Sequence, residues 1–312
     1  MLSIIKKIIV KISDHIAFLR PLLLIPVWTP TLLGFWAGGG NSGIKGESQA
    51  LLLATFLAAG IYGINQIYDA EGDKINGKNL PLALGFISPL MAWIITISSF
   101  LAALVVAIFF STPVAILTIF GILLGISYSL PPIKFKDRGF YALTSNAVGH
   151  GAVMYLIGYL FAMKANPNLQ WKWDVLLRTL PYAVAYASVY IFTTVPDEAG
   201  DKRVGKRTIS VIYGARKGTM FGILGVFLSG ALGILCREPA IFLTAVISMP
   251  FYLFAVSQPK IEAKDILRAN KVAVLSLAIF TIFYFPQFVL LVAAAIVFAS
   301  IYNRTRLGVK YP

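Results

Sequence analysis

Asp69 and Asp73, with Asn65 one turn ahead of them, would stack three oxygen-bearing side chains at i, i+4 and i+8 on one helix face. Asp197 and Asp201 repeat the aspartate pair 128 positions later. The repetition extends beyond the pairs. Tyr68 to Lys78 reads YDAEGDKINGK and Pro196 to Lys206 reads PDEAGDKRVGK, both D-x-x-G-D-K-x-x-G-K, and the two runs hold six of the chain's 13 acidic residues. Like charges at this spacing repel, and the cost of ionised carboxylates rises beside apolar lipid, so a cation must neutralise them. Carboxylates and an amide oxygen are hard ligands suited to Mg²⁺, which keeps few protein ligands and shares its sphere with phosphate oxygens. Two such clusters facing each other would hold a diphosphate through Mg²⁺ on Asn65, Asp69, Asp73, Asp197 and Asp201. Lys74, Lys78, Lys202 and Lys206 add point charges for the same phosphates. Glu71 and Glu198 fall on other helical faces and are read as bystanders. One such pair alone reads as a solvated loop; two copies at corresponding helix ends read as a site.

The elements that must position these groups are membrane helices. The chain of 312 residues is 58% hydrophobic and 13% charged, with a mean hydropathy of +0.80. That composition lies outside the soluble range and indicates an integral membrane protein. Runs of about 20 apolar residues predict spans near 17–38, 50–70, 86–109, 113–130, 143–163, 176–196, 218–235, 239–257 and 271–301. The last, with Pro286 in its middle, is expected to be one long tilted or kinked helix, because each half would be too short to cross. The expected fold is therefore all-α, nine transmembrane helices within a single domain of residues 1–312. The acidic phrases end the second and sixth spans, which point the same way. That suggests pseudo-related halves of about 16–130 and 143–257.

With the N-terminus cytoplasmic, 19 of the 27 Lys and Arg residues fall on the inner side. The tail carrying Arg304, Arg306 and Lys310 then falls outside. The net charge of +14 reads as topology rather than nucleic-acid binding, since the basic residues flank spans. Residues 1–15 alternate apolar and basic side chains and predict an interfacial helix. Cys236 is the only cysteine and His15 and His150 the only histidines, which excludes disulfides, cysteine zinc sites, iron–sulfur clusters and a His-rich metal site. No obligatory protein partner is predicted.

Further basic groups lie on the expected cytoplasmic side. Tyr128 to Gly139, YSLPPIKFKDRG, ends the fourth span at its prolines and presents Lys134, Lys136 and Arg138. Arg20, before Pro21, reads as a snorkelling anchor or a phosphate clamp. Asn146 and His150, one turn apart in the fifth span, read first as a buried hydrogen-bonded pair, with a functional role as the alternative.

These motifs together resemble the UbiA family of intramembrane prenyltransferases. Its N-x-x-x-D-x-x-x-D is met by Asn65, Asp69 and Asp73, and its second D-x-x-x-D by Asp197 and Asp201. Its Y-S-x-P-P-x-R-x-K turn is met by Tyr128, Ser129, Pro131, Pro132 and Lys136, with Lys134 in the arginine position. The resemblance implies a helical bundle whose cavity opens laterally to lipid, lying in the cell membrane with its active site towards the cytoplasm. It implies Mg²⁺-dependent transfer from an allylic isoprenyl diphosphate, geranylgeranyl or similar, to a lipophilic acceptor through an allylic carbocation. Asp69, Asp73, Asp197 and Asp201 would be catalytic through the metal, and Arg20, Asn65, Lys74, Tyr128, Lys134, Lys136 and Lys202 would line the diphosphate. The run INGKNLPLA, Ile75 to Ala83, is similar to the homogentisate and tocopherol branch and favours an aromatic or quinone-type acceptor. A glycerol-phosphate ether acceptor, as in digeranylgeranylglyceryl phosphate synthesis, and a chlorophyll-type carboxylate remain alternatives. A cation-coupled transporter is the alternative of another class, although its carboxylates would sit near the bilayer midplane.

Overall fold

The structure, a computed structural model, describes residues 2–41, 43, 46–75, 77–165 and 171–309. Fourteen α-helices follow one another: α1 (Leu2–Phe18), α2 (Pro21–Ala37), α3 (Glu47–Ile75), α4 (Pro89–Phe110), α5 (Thr112–Ser129), α6 (Gly139–Asn146), α7 (Met154–Ala165), α8 (Asp174–Arg178), α9 (Leu180–Arg203), α10 (Ile209–Tyr213), α11 (Ala215–Leu235), α12 (Pro239–Ser257), α13 (Ala263–Tyr284) and α14 (Phe288–Arg306). A 3₁₀ turn at Phe135–Asp137 precedes α6, and a π-helical stretch, Ala147–Val153, joins α6 to α7. No strand occurs among the described residues.

The side-chain pattern is that of a protein in lipid. In α4 the buried positions are the small residues Ala92, Thr96, Ser99, Ala103 and Ala107. Leu90, Ile94, Ile97, Leu101, Val105 and Ile108 on the same helix are exposed. Small residues let helices approach closely and large apolar ones meet acyl chains. The buried hydroxyls of Thr96, Ser99, Thr118 and Thr244 turn back onto carbonyls of their own helices, so none of these four donors is left bare in hydrocarbon. Where α2 crosses α7 the backbones nearly touch: a Cβ on Gly34 would lie 1.9 Å from the Tyr155 carbonyl oxygen, and one on Gly158 would lie 1.8 Å from that of Thr31. Only glycine fits either place.

Nine helices among the described residues are long and apolar enough to span a membrane, the number expected. They are not the same nine. The expected first span is α2, a shorter apolar helix of 17 residues that also runs through the bundle. The expected last span, 271–301, is corrected to two helices, α13 and α14, broken at Phe285–Gln287. Each half reaches spanning length by taking in polar ends, Lys264 to Lys271 before the apolar run and Arg304 to Arg306 after it. The tail therefore lies beside the N-terminal helix instead of opposite it. The Asp14 carboxylate of α1 accepts from Tyr302 at 2.8 Å and from Arg306 Nε at 2.9 Å. Ile5, Ile8, Ile9 and Ile12 on α1 form an apolar stripe that the rest of the protein leaves uncovered.

At the opposite end, Glu238 ties three elements together. Its carboxylate accepts from Tyr155 at 2.6 Å, Tyr182 at 2.8 Å and Arg178 at 2.7 Å, joining α7, α8 and α9 to the start of α12. Burial holds this carboxyl above the usual range, and Arg178 with the two tyrosines offsets part of that effect.

Candidate active site

Both acidic phrases fold into the same helix ending. At the end of α3, Gly77 N–H donates to Lys74 O at 3.2 Å and Lys78 N–H to Asp73 O at 2.9 Å. At the end of α9, Gly205 N–H donates to Lys202 O at 3.3 Å and Lys206 N–H to Asp201 O at 2.9 Å. This crossed pair of bonds around a left-handed residue is the Schellman motif. Gly77 (φ +63°) and Gly205 (φ +75°) supply the left-handed residue. Each turn folds a lysine back onto the last aspartate: Lys78 Nζ lies 3.1 Å from Asp73, and Lys206 Nζ 3.6 Å from Asp201. The repeated glycine and lysine are thus a device for ending the helix with its own counter-ion.

The two ends face each other. Burial alone would lower the Lys206 ammonium, yet Asp69, Asp201 and Asp137 surround it and hold it above the ordinary lysine value. Two loops close over this point through a bridge between Arg138 and Arg207, with Gly139 N–H donating to Arg207 O at 2.8 Å. The closure buries Lys136, 6% exposed, against Asp69, with Nζ 2.8 Å from Oδ1. At that distance the contact is a buried ion pair. Burial holds Lys136 below the ordinary lysine value, and Asp69 offsets part of the shift.

Beneath the carboxylates lies a largely apolar cavity of about 900 Å³ whose walls include Arg20, Asn65, Tyr128 and Asn146. Arg20, in a left-handed conformation (φ 54°) at the start of α2, is within electrostatic reach of Asp73 and Asp69. Asn65 Nδ2 points to Ser129 at 3.5 Å, so its Oδ1 stays available to a ligand. Tyr128 is hydrogen-bonded to Asn146 and feels Asp69, Asp137 and Asp201. Other expected groups stand apart. Lys74 is exposed, and Lys134 turns to Asp137 at 2.6 Å. Lys202, also exposed, lines a different groove with Glu198, Arg216 and Lys260. Asp197 is exposed at the rim and Asp73 is buried. Asn76 of the INGKNLPLA run lies outside the described residues. Asn146 and His150 do not form the expected pair: Asn146 Nδ2 donates to Ala142 O, and His150 Nε2 meets Tyr62.

Sequence reasoning missed Asp137 and Tyr190. Asp137 sits between Lys136 and Arg138 in a basic loop and reads there as ordinary. Tyr190, 8% exposed, lines the cavity with no hydrogen-bond partner for its hydroxyl among the described residues. A signal for it existed, since Tyr190 precedes Asp197 by the same seven residues that separate Tyr62 from Asp69, two turns along one face.

The donor set fits a hard divalent ion. Asn65, Asp69 and Asp73 line one helix, and Asp197 and Asp201 the other. No three His, Cys, Asp or Glu side chains among the described residues gather closely enough to hold a metal by themselves. An ion here must complete its sphere with non-protein oxygens, as Mg²⁺ does with phosphates and water.

A model of the UbiA prenyltransferase family matches residues 27–271. Homogentisate phytyltransferase of Synechocystis is 30% identical over 232 residues, 69% of this chain and 74% of the relative. The chloroplastic 2-acyl-4-prenylphloroglucinol 6-prenyltransferase of Humulus lupulus is 34% identical over 203 residues, 62% of this chain. That match spans 49% of the hop protein, so the chain covers about half its length. Among solved structures, a UbiA homolog from Archaeoglobus fulgidus bound to GPP and Mg²⁺ shares the fold, with a TM-score of 0.66 at 18% identity over 90% of this chain and 99% of that one.

Proposed function

The chain belongs to the UbiA prenyltransferase family, and we propose that it transfers an isoprenyl group from an allylic isoprenyl diphosphate to an aromatic, quinone-precursor acceptor. The observation that carries this reading is the ring of lysines and aspartates at the mouth of an apolar cavity of about 900 Å³. Charged groups suit the diphosphate, and the cavity suits the tail and the acceptor. Homogentisate and acylphloroglucinol enzymes among the relatives support the aromatic acceptor.

In this mechanism Asn65, Asp69 and Asp73 on one helix and Asp197 and Asp201 on the other would hold Mg²⁺. Bound there, Mg²⁺ offsets the charge that builds on the departing diphosphate. Lys78, Lys136 and Lys206, which pair with the aspartates, turn to the phosphate oxygens when the substrate arrives. Arg20 and Tyr128 approach from the other walls. As the carbon–oxygen bond breaks, its electrons leave with the diphosphate, and the allylic cation stays in an apolar chamber that excludes water. The aromatic ring attacks the cation and then loses a proton. The whole chain, 1–312, acts as one domain in the cell membrane, with halves about 16–130 and 143–257 each supplying one motif. The positive-inside bias turns the motif end to the cytoplasm.

The test is purified protein in detergent with Mg²⁺, labelled geranylgeranyl diphosphate, and a panel of homogentisate, an acylphloroglucinol and geranylgeranylglyceryl phosphate. Transfer of label to an aromatic acceptor is the expected result. Transfer only to the glycerol phosphate would redirect the acceptor assignment, and absence of both diphosphate release and transfer would refute the activity.

A further inference from the structure

His150 is held differently from a packed core histidine. It sits in the π-helical stretch Ala147–Val153, and such stretches re-aim side chains and recur at functional sites. Its ring lies between two tyrosines, nearly parallel to both. Tyr62 is 6.1 Å away at 22°, and Tyr186 is 5.9 Å away at 15°. Both phenols are fixed from behind by α2. Tyr62 OH donates to Leu23 O at 2.9 Å, and Tyr186 OH donates to the Pro26 carbonyl. Pro30, four residues after Pro26, has no N–H to give that carbonyl, which explains why it is free for Tyr186.

These bonds decide the tautomer of His150. Tyr62 has one proton and gives it to Leu23, so its oxygen can only accept from His150 Nε2, 3.3 Å away. Nε2 therefore carries the hydrogen, and Nδ1 is a bare acceptor with no partner among the described residues. The side chain lines the cavity, as do both tyrosines. Tyr62 lies one turn before Asn65 on α3, so His150 meets the chamber just below the groups that would hold the diphosphate.

We propose that His150 Nδ1 accepts the hydrogen bond of a ring hydroxyl on the acceptor, and that Tyr62 fixes the tautomer that makes this possible. The inference rests on the aromatic-acceptor reading and narrows it: the acceptor is a phenol whose hydroxyl is read about one helix turn below the carboxylates. Tyr62 is a positioning residue, and His150 is the residue that selects the acceptor. An ether or hydrogen at that ring position leaves Nδ1 unpaired in an apolar chamber, which penalises the analogue.

The experiment compares kcat/KM for the productive phenol, homogentisate or the acylphloroglucinol, with that for its singly O-methylated ethers. Wild-type protein is expected to prefer the phenol over one of the ethers by about 100-fold. His150→Gln keeps a donor for Tyr62 but has no acceptor in the Nδ1 position. It is expected to reduce that preference below about tenfold, with acceptor KM raised and the Kd for geranylgeranyl thiolodiphosphate unchanged. His150→Asn, whose amide oxygen falls near Nδ1, should restore part of the preference. A wild-type preference retained in His150→Gln would overturn the proposal. So would a loss that appears only together with weaker diphosphate binding or a lowered melting temperature, because that marks a packing role. Wild-type protein that transfers to no aromatic acceptor refutes the functional reading and this inference with it. Wild-type transfer without preference between phenol and ethers refutes the inference alone.

Discussion

Replacing Lys136 by methionine should strengthen binding of Mg²⁺ alone and weaken catalysis. Lys136 Nζ lies 2.8 Å from Asp69 in the structure. Two unit charges at that distance attract by about 6 kcal/mol at an effective dielectric of about 20. Part of that attraction is offset by desolvation of the buried ammonium. An incoming cation must displace this ion pair or accept a neighbouring positive charge. If only a quarter of the attraction opposes the metal, about 1.5 kcal/mol, its removal raises affinity a little more than about tenfold. Methionine keeps most of the stem volume, so the loops joined by Arg138 and Arg207 should still close. Calorimetry or Mn²⁺ electron paramagnetic resonance on detergent-purified protein, without diphosphate, gives the dissociation constant. Turnover with geranylgeranyl diphosphate should fall at least 100-fold, because the same ammonium is needed by the phosphate oxygens. Unchanged or weaker metal binding in Lys136→Met, with the melting temperature preserved, would refute the view that lysines stand in for the metal.

Lys206→Met should lose at least about 100-fold in kcat/KM because Lys206 sits among Asp69, Asp137 and Asp201. Lys202→Met, in the separate groove, should keep at least about half of it, and equal losses would mean that the two lysines share a role. Gly205→Ala should cost about 1–2 kcal/mol at φ +75° and reduce turnover by misplacing Lys206; thermal unfolding and the prenyl-transfer assay read both effects. Glu238→Ala strips one acceptor from Arg178, Tyr155 and Tyr182 and should destabilise by about 3–5 kcal/mol. The Kd for Mg²⁺–diphosphate should not change in that variant, since the cluster lies at the other end of the bundle; a shift would show coupling between the ends.

The helices were legible because lipid imposes a coarse rule. Apolar runs of spanning length must be helical, and α4 shows the small-inside, large-outside pattern throughout. The rule failed at residues 271–301, where hydropathy stops at the polar ends that α13 and α14 include. The five motif residues of the candidate site were legible from their spacing along two helices, and Arg20, Tyr128 and Lys136 from the turns around them. Which lysines serve the site was not legible. Lys74 and Lys202 adjoin the aspartates in sequence but point elsewhere on the helix, whereas Lys78 and Lys206 come back through the Schellman turn. Asp137 depends on the meeting of two loops, and the role argued for His150 depends on a hydrogen bond across 88 residues. Neither leaves a local pattern.

The offset of 128 positions ties these points into one argument. It relates Asp69 and Asp73 to Asp197 and Asp201, and it also relates Tyr62 to Tyr190, Gly77 to Gly205 and Lys78 to Lys206. Each of the two motif helices therefore supplies a tyrosine two turns below its first aspartate, a carboxylate pair, a glycine at its end and a lysine that folds back. Among the cavity-lining positions at which the two helices differ are Asn65 against Thr193 and Ala58 against Tyr186. Asn65 offers an amide oxygen, whereas Thr193, which also lines the cavity, turns its hydroxyl back to the Tyr190 carbonyl at 2.7 Å. The Tyr186 ring fills the wall opposite Tyr62, where Ala58 leaves room. A diphosphate with two similar phosphate groups can be held by the shared parts. A cation that forms at one end only, beside an acceptor bound on one side, needs the parts that are not shared. Exchanging Asn65 for Thr should therefore impair ionisation and transfer more than it weakens binding of inorganic diphosphate. Equal losses in both would place Asn65 with the shared machinery.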